Sequence, residues 1–110
     1  MAVTKYHNIT GSTGVNVELL APGAGVNNIS SIVIANTHAS NDATISVYIQ
    51  DNPSGGSSST FYLAKTVAVP SDTSIVFEED NIPFFSNSIS GHGLYITVGS
   101  SDTVDVLLNI

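Results

Sequence analysis

The chain has 110 residues, two lysines, no arginine, nine carboxylates and no cysteine, for a net charge of −7. That length supports one domain, since two separate cores would each be too small to stand alone. The missing cysteines exclude a disulfide framework and thiolate zinc sites. Two basic side chains cannot neutralise a phosphate backbone, which sets nucleic acid and anionic membranes aside as partners.

Only 10% of the residues are charged while 42% are hydrophobic. A folded domain with a surface of Ser, Thr, Asn and Gly is expected rather than a disordered chain. The first residues lack a basic segment followed by an apolar one, so no secretory signal is expected, and no apolar run reaches bilayer length. The expectation is a soluble chain made in a cytoplasm.

Taken in order, residues 3–10 read as a first strand, closed by the Gly-Ser-Thr-Gly turn at 11–14. Residues 15–19 alternate apolar and polar, and a Pro-Gly-rich break follows at 21–25. Residues 28–51 hold two β-branched runs around a short polar segment, the pattern of a β-hairpin. In its second run Ile45, Val47 and Ile49 alternate with Thr44, Ser46, Tyr48 and Gln50, so one face is buried. The first run is apolar on both faces around Ile32, Val33 and Ile34, which suits an interior strand.

Residues 52–59, rich in Gly and Ser, read as a mobile loop rather than a domain boundary. Strands are expected at 60–69 and 73–77, the second ended by the acidic run Glu78, Glu79, Asp80. Residues 81–93 look irregular, with aromatic side chains plugging one end of the core. Residues 94–98 and 104–108 read as a closing antiparallel pair. Turn signals about every ten residues and the absence of a 3.6-residue period give an all-β fold. The expected architecture is a single antiparallel β-sandwich over residues 1–110, jelly-roll-like, with about eight short strands.

A thin sandwich usually has polar outer faces. Val33, Val76 and Leu107 each fall on the face opposite their strand's main apolar set, and the chain ends on Ile110. These four residues are the candidate contact surface, together with an N-terminal arm at residues 1–6.

Reactive chemistry is weakly represented. His7, His38 and His92 are far apart, although His38 and His92 could meet at one end. No serine sits in a Gly-x-Ser-x-Gly elbow, and Glu78, Glu79 and Asp80 lack the spacing of a calcium loop. No catalytic residue, metal or cofactor is expected. A carbohydrate platform is the alternative, built on the outward-facing Tyr48, Tyr62 and Tyr95, without the Trp such platforms favour.

The run Ile29-x-x-Ile-Val-Ile-Ala-Asn-Thr37, a polar turn, and Ala43-Thr-Ile-Ser-Val-Tyr-Ile49 resemble a hairpin common in small tailed-bacteriophage virion proteins. The similarity continues through Ser74-Ile-Val-Phe-Glu78, Gly93-Leu-Tyr-Ile-Thr-Val-Gly-Ser-Ser101 and Val104-Asp-Val-Leu-Leu108, covering residues 27–110. One departure is Gly91-His-Gly93, where those proteins usually carry Gly-Asp. The resemblance implies a non-enzymatic virion protein, a capsid decoration or cement protein or a neck or tail component. Such proteins are typically trimers or higher homo-oligomers that bind the major capsid protein or other virion proteins. It implies assembly into the virion after synthesis in the host bacterium. The alternative within that setting is a receptor- or carbohydrate-binding module of a tail fibre, spike or baseplate.

Overall fold

The computed structural model describes residues 4–11, 16–26, 28–51, 59–82, 87, 91–99 and 102–110. It contains eight strands: β1 (Thr4–Thr10), β2 (Asn16–Leu20), β3 (Ser31–Asn36), β4 (Ala43–Asp51), β5 (Thr60–Val69), β6 (Ser74–Glu78), β7 (His92–Val98) and β8 (Thr103–Asn109). The expected strand at 60–69 is β5 and the run at 43–51 is β4, both residue for residue; β3 starts three residues later than the expected run at 28–37, and the others shift by one or two positions at their ends. The expected 52–59 loop and the aromatic part of 81–93 lie almost wholly outside the described residues.

All pairings are antiparallel. The first sheet has the order β1-β8-β3-β6 and the second β2-β7-β4-β5. Strands pair from the outside of the chain inward, β1 with β8, β2 with β7, β3 with β6 and β4 with β5. That is one long hairpin of four strands against four, rolled so that its strands alternate between two layers. It is the jelly-roll arrangement.

The roll overturns two local expectations. Residues 28–51 do not form a hairpin, because β3 lies in the first sheet and β4 in the second. Nor do β7 and β8 pair, since they are split between the sheets in the same way. Each connection bridges the gap of about 10 Å between facing sheets. Alternation and turn chemistry look identical for a hairpin and for such an arch. What separates them is that Ile32 and Ile34 face Ile45, Val47 and Ile49 across one buried cluster.

That cluster takes Ile9, Ile32, Ile34, Val104, Val106 and Leu108 from the first sheet and Leu19, Leu20, Ile45, Val47, Ile49, Leu94, Ile96 and Val98 from the second. The apolar set at alternate positions of each strand supplies it, as the period of two requires. β3 is interior, flanked by β8 and β6, which is where its doubly apolar sequence belongs. β2 carries a bulge between Glu18 and Leu20, so Leu19 and Leu20 are both buried.

Two buried asparagines tie the ends. Asn36 donates its amide to the carbonyls of Asn41 (2.7 Å) and Val69 (3.0 Å) and accepts from the His38 N–H at 2.9 Å. This pins the arch from β3 to β4 onto the end of β5. At the other end Asn87 donates to the carbonyls of Ala21 (3.0 Å) and His92 (2.8 Å) and accepts from the Val26 N–H at 3.0 Å. The Asp102 carboxylate accepts the Thr44 N–H at 3.0 Å, locking the arch from β7 to β8 against the start of β4. Connections that cross open sandwich ends expose backbone groups that no strand can satisfy, and these side chains satisfy them.

Replacing Asn87 by Ala strands three backbone groups and is expected to cost about 2–4 kcal/mol in urea unfolding. The exposed Asn81→Ala control should stay within about 0.5 kcal/mol. Equal effects of the two substitutions would refute the role given to Asn87.

Candidate functional site

Because side chains alternate along each strand, every strand contributes one set of residues toward the core and another to one of two outer faces. On the outer face of the first sheet, register places Val33 opposite both Leu107 and Val76, and Leu107 opposite Tyr6. The expected contact residues Val33, Val76 and Leu107 thus form one continuous row across β8, β3 and β6. Val76 is 52% exposed, and Val33 and Leu107 are half-buried. Ile110 does not join them. It packs against the core cluster, on the face shared by Val104, Val106 and Leu108.

The row is bordered by polar positions and one small apolar residue. On one side lie Asn8, Asp105, Ala35 and Ser74, with the Asn8 amide donating to the Asp105 carboxylate at 2.5 Å. On the other lie Asn109, Ser31 and Glu78, with Asn109 donating to the Ser31 hydroxyl at 2.7 Å. From β1 to β6 the row spans roughly 14 Å and is about 7 Å wide. On its own that is far below the roughly 800 Å² per partner of a stable one-to-one interface.

On the second sheet the three candidate tyrosines also share a row. Tyr48 pairs in register with Tyr62 on one side and Tyr95 on the other, and Glu18 follows Tyr95. The ring centroids are 5.3 Å apart for Tyr48 and Tyr62 and 5.9 Å for Tyr48 and Tyr95. Lys65 stands over the Tyr62 ring, 5.2 Å from its centroid. Gly93 precedes Tyr95 on the same face. A Cβ there would fall 2.6 Å from the Tyr95 hydroxyl and 2.8 Å from the Leu20 carbonyl, so glycine makes room for the ring.

The consequence corrects the expected carbohydrate platform. Tyr48 and Tyr95 are each only 4% exposed, because the aromatic ladder covers its own faces. Tyr62, at 49%, alone offers a ring surface, and Lys65 lies over it. Burial pushes the Tyr48 phenol above its usual range, against a smaller opposing effect of its hydrogen bond to Thr97 (3.2 Å). Burial also raises Tyr95, helped by the negative charge of Glu18 and by Tyr48. The Tyr95 hydroxyl has no hydrogen-bond partner among the described residues.

The histidines do not converge. His38 lies where β3 ends and β4 begins, its Nδ1 accepting the Ser40 and Asn41 N–H groups at 3.1 Å. His92 opens β7 beside the end of β4, at the opposite end of the sandwich, with its ring 6.0 Å from that of Phe61. His7 pairs with Val106 on the core side of β1, its Nε2 buried without a partner among the described residues. A hollow of about 260 Å³ lies beside His7, Asn8, Asp105, Val106 and Leu107. Its imidazole and its carboxylate belong to opposite faces of the sheet, so they cannot work as a pair. No group of three or more His, Asp or Glu side chains among the described residues is arranged to hold a metal ion. Glu79 and Asp80 sit exposed in a single 3₁₀ turn, Glu79–Asn81.

Removing the unpartnered hydroxyl by Tyr95→Phe is expected to leave stability unchanged or raise it by up to about 1 kcal/mol. Gly93→Ala displaces the ring and should cost about 1–3 kcal/mol. The folded state holds the Tyr48 and Tyr95 protons to higher pH than the unfolded chain, so stability falls as pH rises past about 10. The double Tyr48→Phe, Tyr95→Phe variant should lose less stability than the wild type over that alkaline range. Identical alkaline denaturation profiles would count against the burial argument.

Compared with protein-family models, curated proteins and solved structures, the chain matches none of them.

Proposed function

We propose that this protein is a non-enzymatic structural subunit of a tailed-bacteriophage particle, a decoration or cement protein that binds the assembled capsid as a multimer. The observation that carries the reading is the apolar row of Leu107, Val33 and Val76, laid across an otherwise polar outer face whose flanking side chains are already hydrogen-bonded to one another. A narrow row of this kind binds weakly once. Repeated in several copies against a repeating shell, it binds strongly without any new contact.

Two further points support the reading. Jelly rolls recur in viral capsid domains, an analogy of fold that does not by itself carry function. The charge of −7 keeps the subunit from competing for packaged nucleic acid. The second reading, a receptor- or carbohydrate-binding module, draws on the other outer face. Its supporting observation is that Tyr62 is a large side chain on an edge strand of that face, 49% exposed.

The test is co-sedimentation of the purified protein with assembled capsids, alongside its mass in solution. Leu107→Lys should weaken capsid binding at least tenfold per copy while the melting curve of the free protein hardly moves, and Tyr62→Ala should leave binding intact. Retention on a glycan array that Tyr62→Ala abolishes, without capsid binding, would move the assignment to the second reading. A protein that stays monomeric and binds neither target would refute both.

A further inference from the structure

A two-layer sandwich has four edge strands, here β1 and β6 in the first sheet and β2 and β5 in the second. Open edges invite pairing with other chains, and proteins blunt them with Lys, bulges and strained residues. The two basic residues of the whole chain, Lys5 and Lys65, both occur in edge strands, β1 and β5. β5 is further disrupted by two register shifts, and Thr66 in it has a φ of 54°. β2 carries its bulge and Glu18. β6, Ser-Ile-Val-Phe-Glu, has none of these devices until its last residue, and its register with β3 is unbroken.

The backbone polarity of β6 follows from one bond. The Asn36 N–H donates to the Thr73 carbonyl at 2.9 Å, so Thr73 addresses β3. By alternation Ile75 and Phe77 address β3 as well, and the N–H and C=O groups of Ser74, Val76 and Glu78 point to the open side. No strand among the described residues pairs with that side.

We infer that β6 is a self-association edge, on which a second copy of this chain adds its own β6 antiparallel about a two-fold axis at Val76. The sequence is self-complementary in that register. Val76 meets Val76, Ile75 meets Phe77 and Ser74 meets Glu78, with no like charges opposed within the strand. The pairing continues the apolar row into the partner, so Leu107, Val33 and Val76 of both copies form one stripe across six strands, roughly 24 Å long. Acidic residues flank the seam, Asp72 before it and Glu79 and Asp80 after it, and the antiparallel arrangement brings those of one copy toward those of the other. Association is therefore opposed by charge and strengthened by salt, the reverse of an interface held by ion pairs. Five paired residues make a small interface, so the free dimer is weak and dissociates on dilution. The inference concerns the chain itself and does not depend on any role in a particle.

The test is sedimentation equilibrium of the full chain over a concentration series at low and at high salt. The expected result is a monomer–dimer equilibrium whose Kd falls at least threefold at high salt. Val76→Lys places a charge at a solvent-exposed position and should weaken the dimer at least tenfold with an unchanged melting curve. Val76→Pro removes an N–H that points away from β3 and should do the same. Because the protein has no cysteine, Val76→Cys adds a single thiol that the two-fold axis brings against its mate, at a Cα separation of about 5.5 Å. With oxidised glutathione this variant should form a disulfide-linked dimer, and Ser74→Cys should not. A concentration-independent monomer, a dimer indifferent to both Val76→Lys and Val76→Pro, or a trimer would overturn the inference. A trimer would do so while leaving the proposed function standing.

Discussion

One apolar layer, shared between two sheets, governs the rest of this structure. Ile32, Ile34, Val106 and Leu108 of one sheet press against Ile45, Val47, Ile49, Leu94 and Ile96 of the other, and none of them is exposed beyond a trace. At roughly 25 cal/mol per Å² of apolar surface removed from water, that layer is the main favourable contribution to folding. It forms here because consecutive strands, β4 and β5 excepted, lie in opposite sheets. The crossings from β3 to β4 and from β7 to β8 are therefore a consequence of the core.

Arches expose backbone, and the ends of the sandwich are where polar side chains become indispensable. Asn36 and Asn87 are the buried polar residues among those described, one at each end. Each spends its amide on carbonyls of two different segments, which makes it a cross-link between loops as well as a means of satisfying them. Asp102 adds a third such tie between the last arch and β4. A core built from aliphatic side chains sets how deep the sandwich is, and these few amides and one carboxylate determine how its ends close.

The two outer faces diverge because of what each can bury for itself. With three tyrosines in register and a glycine that leaves space, Tyr48 and Tyr95 are covered and end as part of the packed body, while Tyr62 at the edge stays half-exposed. Three aliphatic residues in register, Leu107, Val33 and Val76, are too short to do so and stay partly open. The same lateral alignment thus produces a closed ladder on one side and a sticky stripe on the other. The stripe reaches the one edge strand that lacks a lysine, a bulge or a strained residue, which joins face and edge into one surface.

Much of this was legible in the amino-acid order. Apolar, β-branched runs between turn signals located the eight strands, the doubly apolar run at Ile32, Val33 and Ile34 marked β3 as interior, and the outward positions of Val33, Val76, Leu107 and the three tyrosines could be counted off. Those are local properties, decided by the alternation of side chains along an extended backbone. Which strand each one pairs with was not local. The hairpin pattern at 28–51 and the closing pair at 94–108 became arches, because turn residues do not reveal whether the chain returns in its own sheet or crosses to the other. Likewise only the cross-strand register turned separate residues into rows and buried Tyr48 and Tyr95 beyond the reach of a ligand. Sequence by itself determined which residues face in and which face out. The folded whole decided their neighbours, since lateral register is a contact between distant segments and is written in no single one of them.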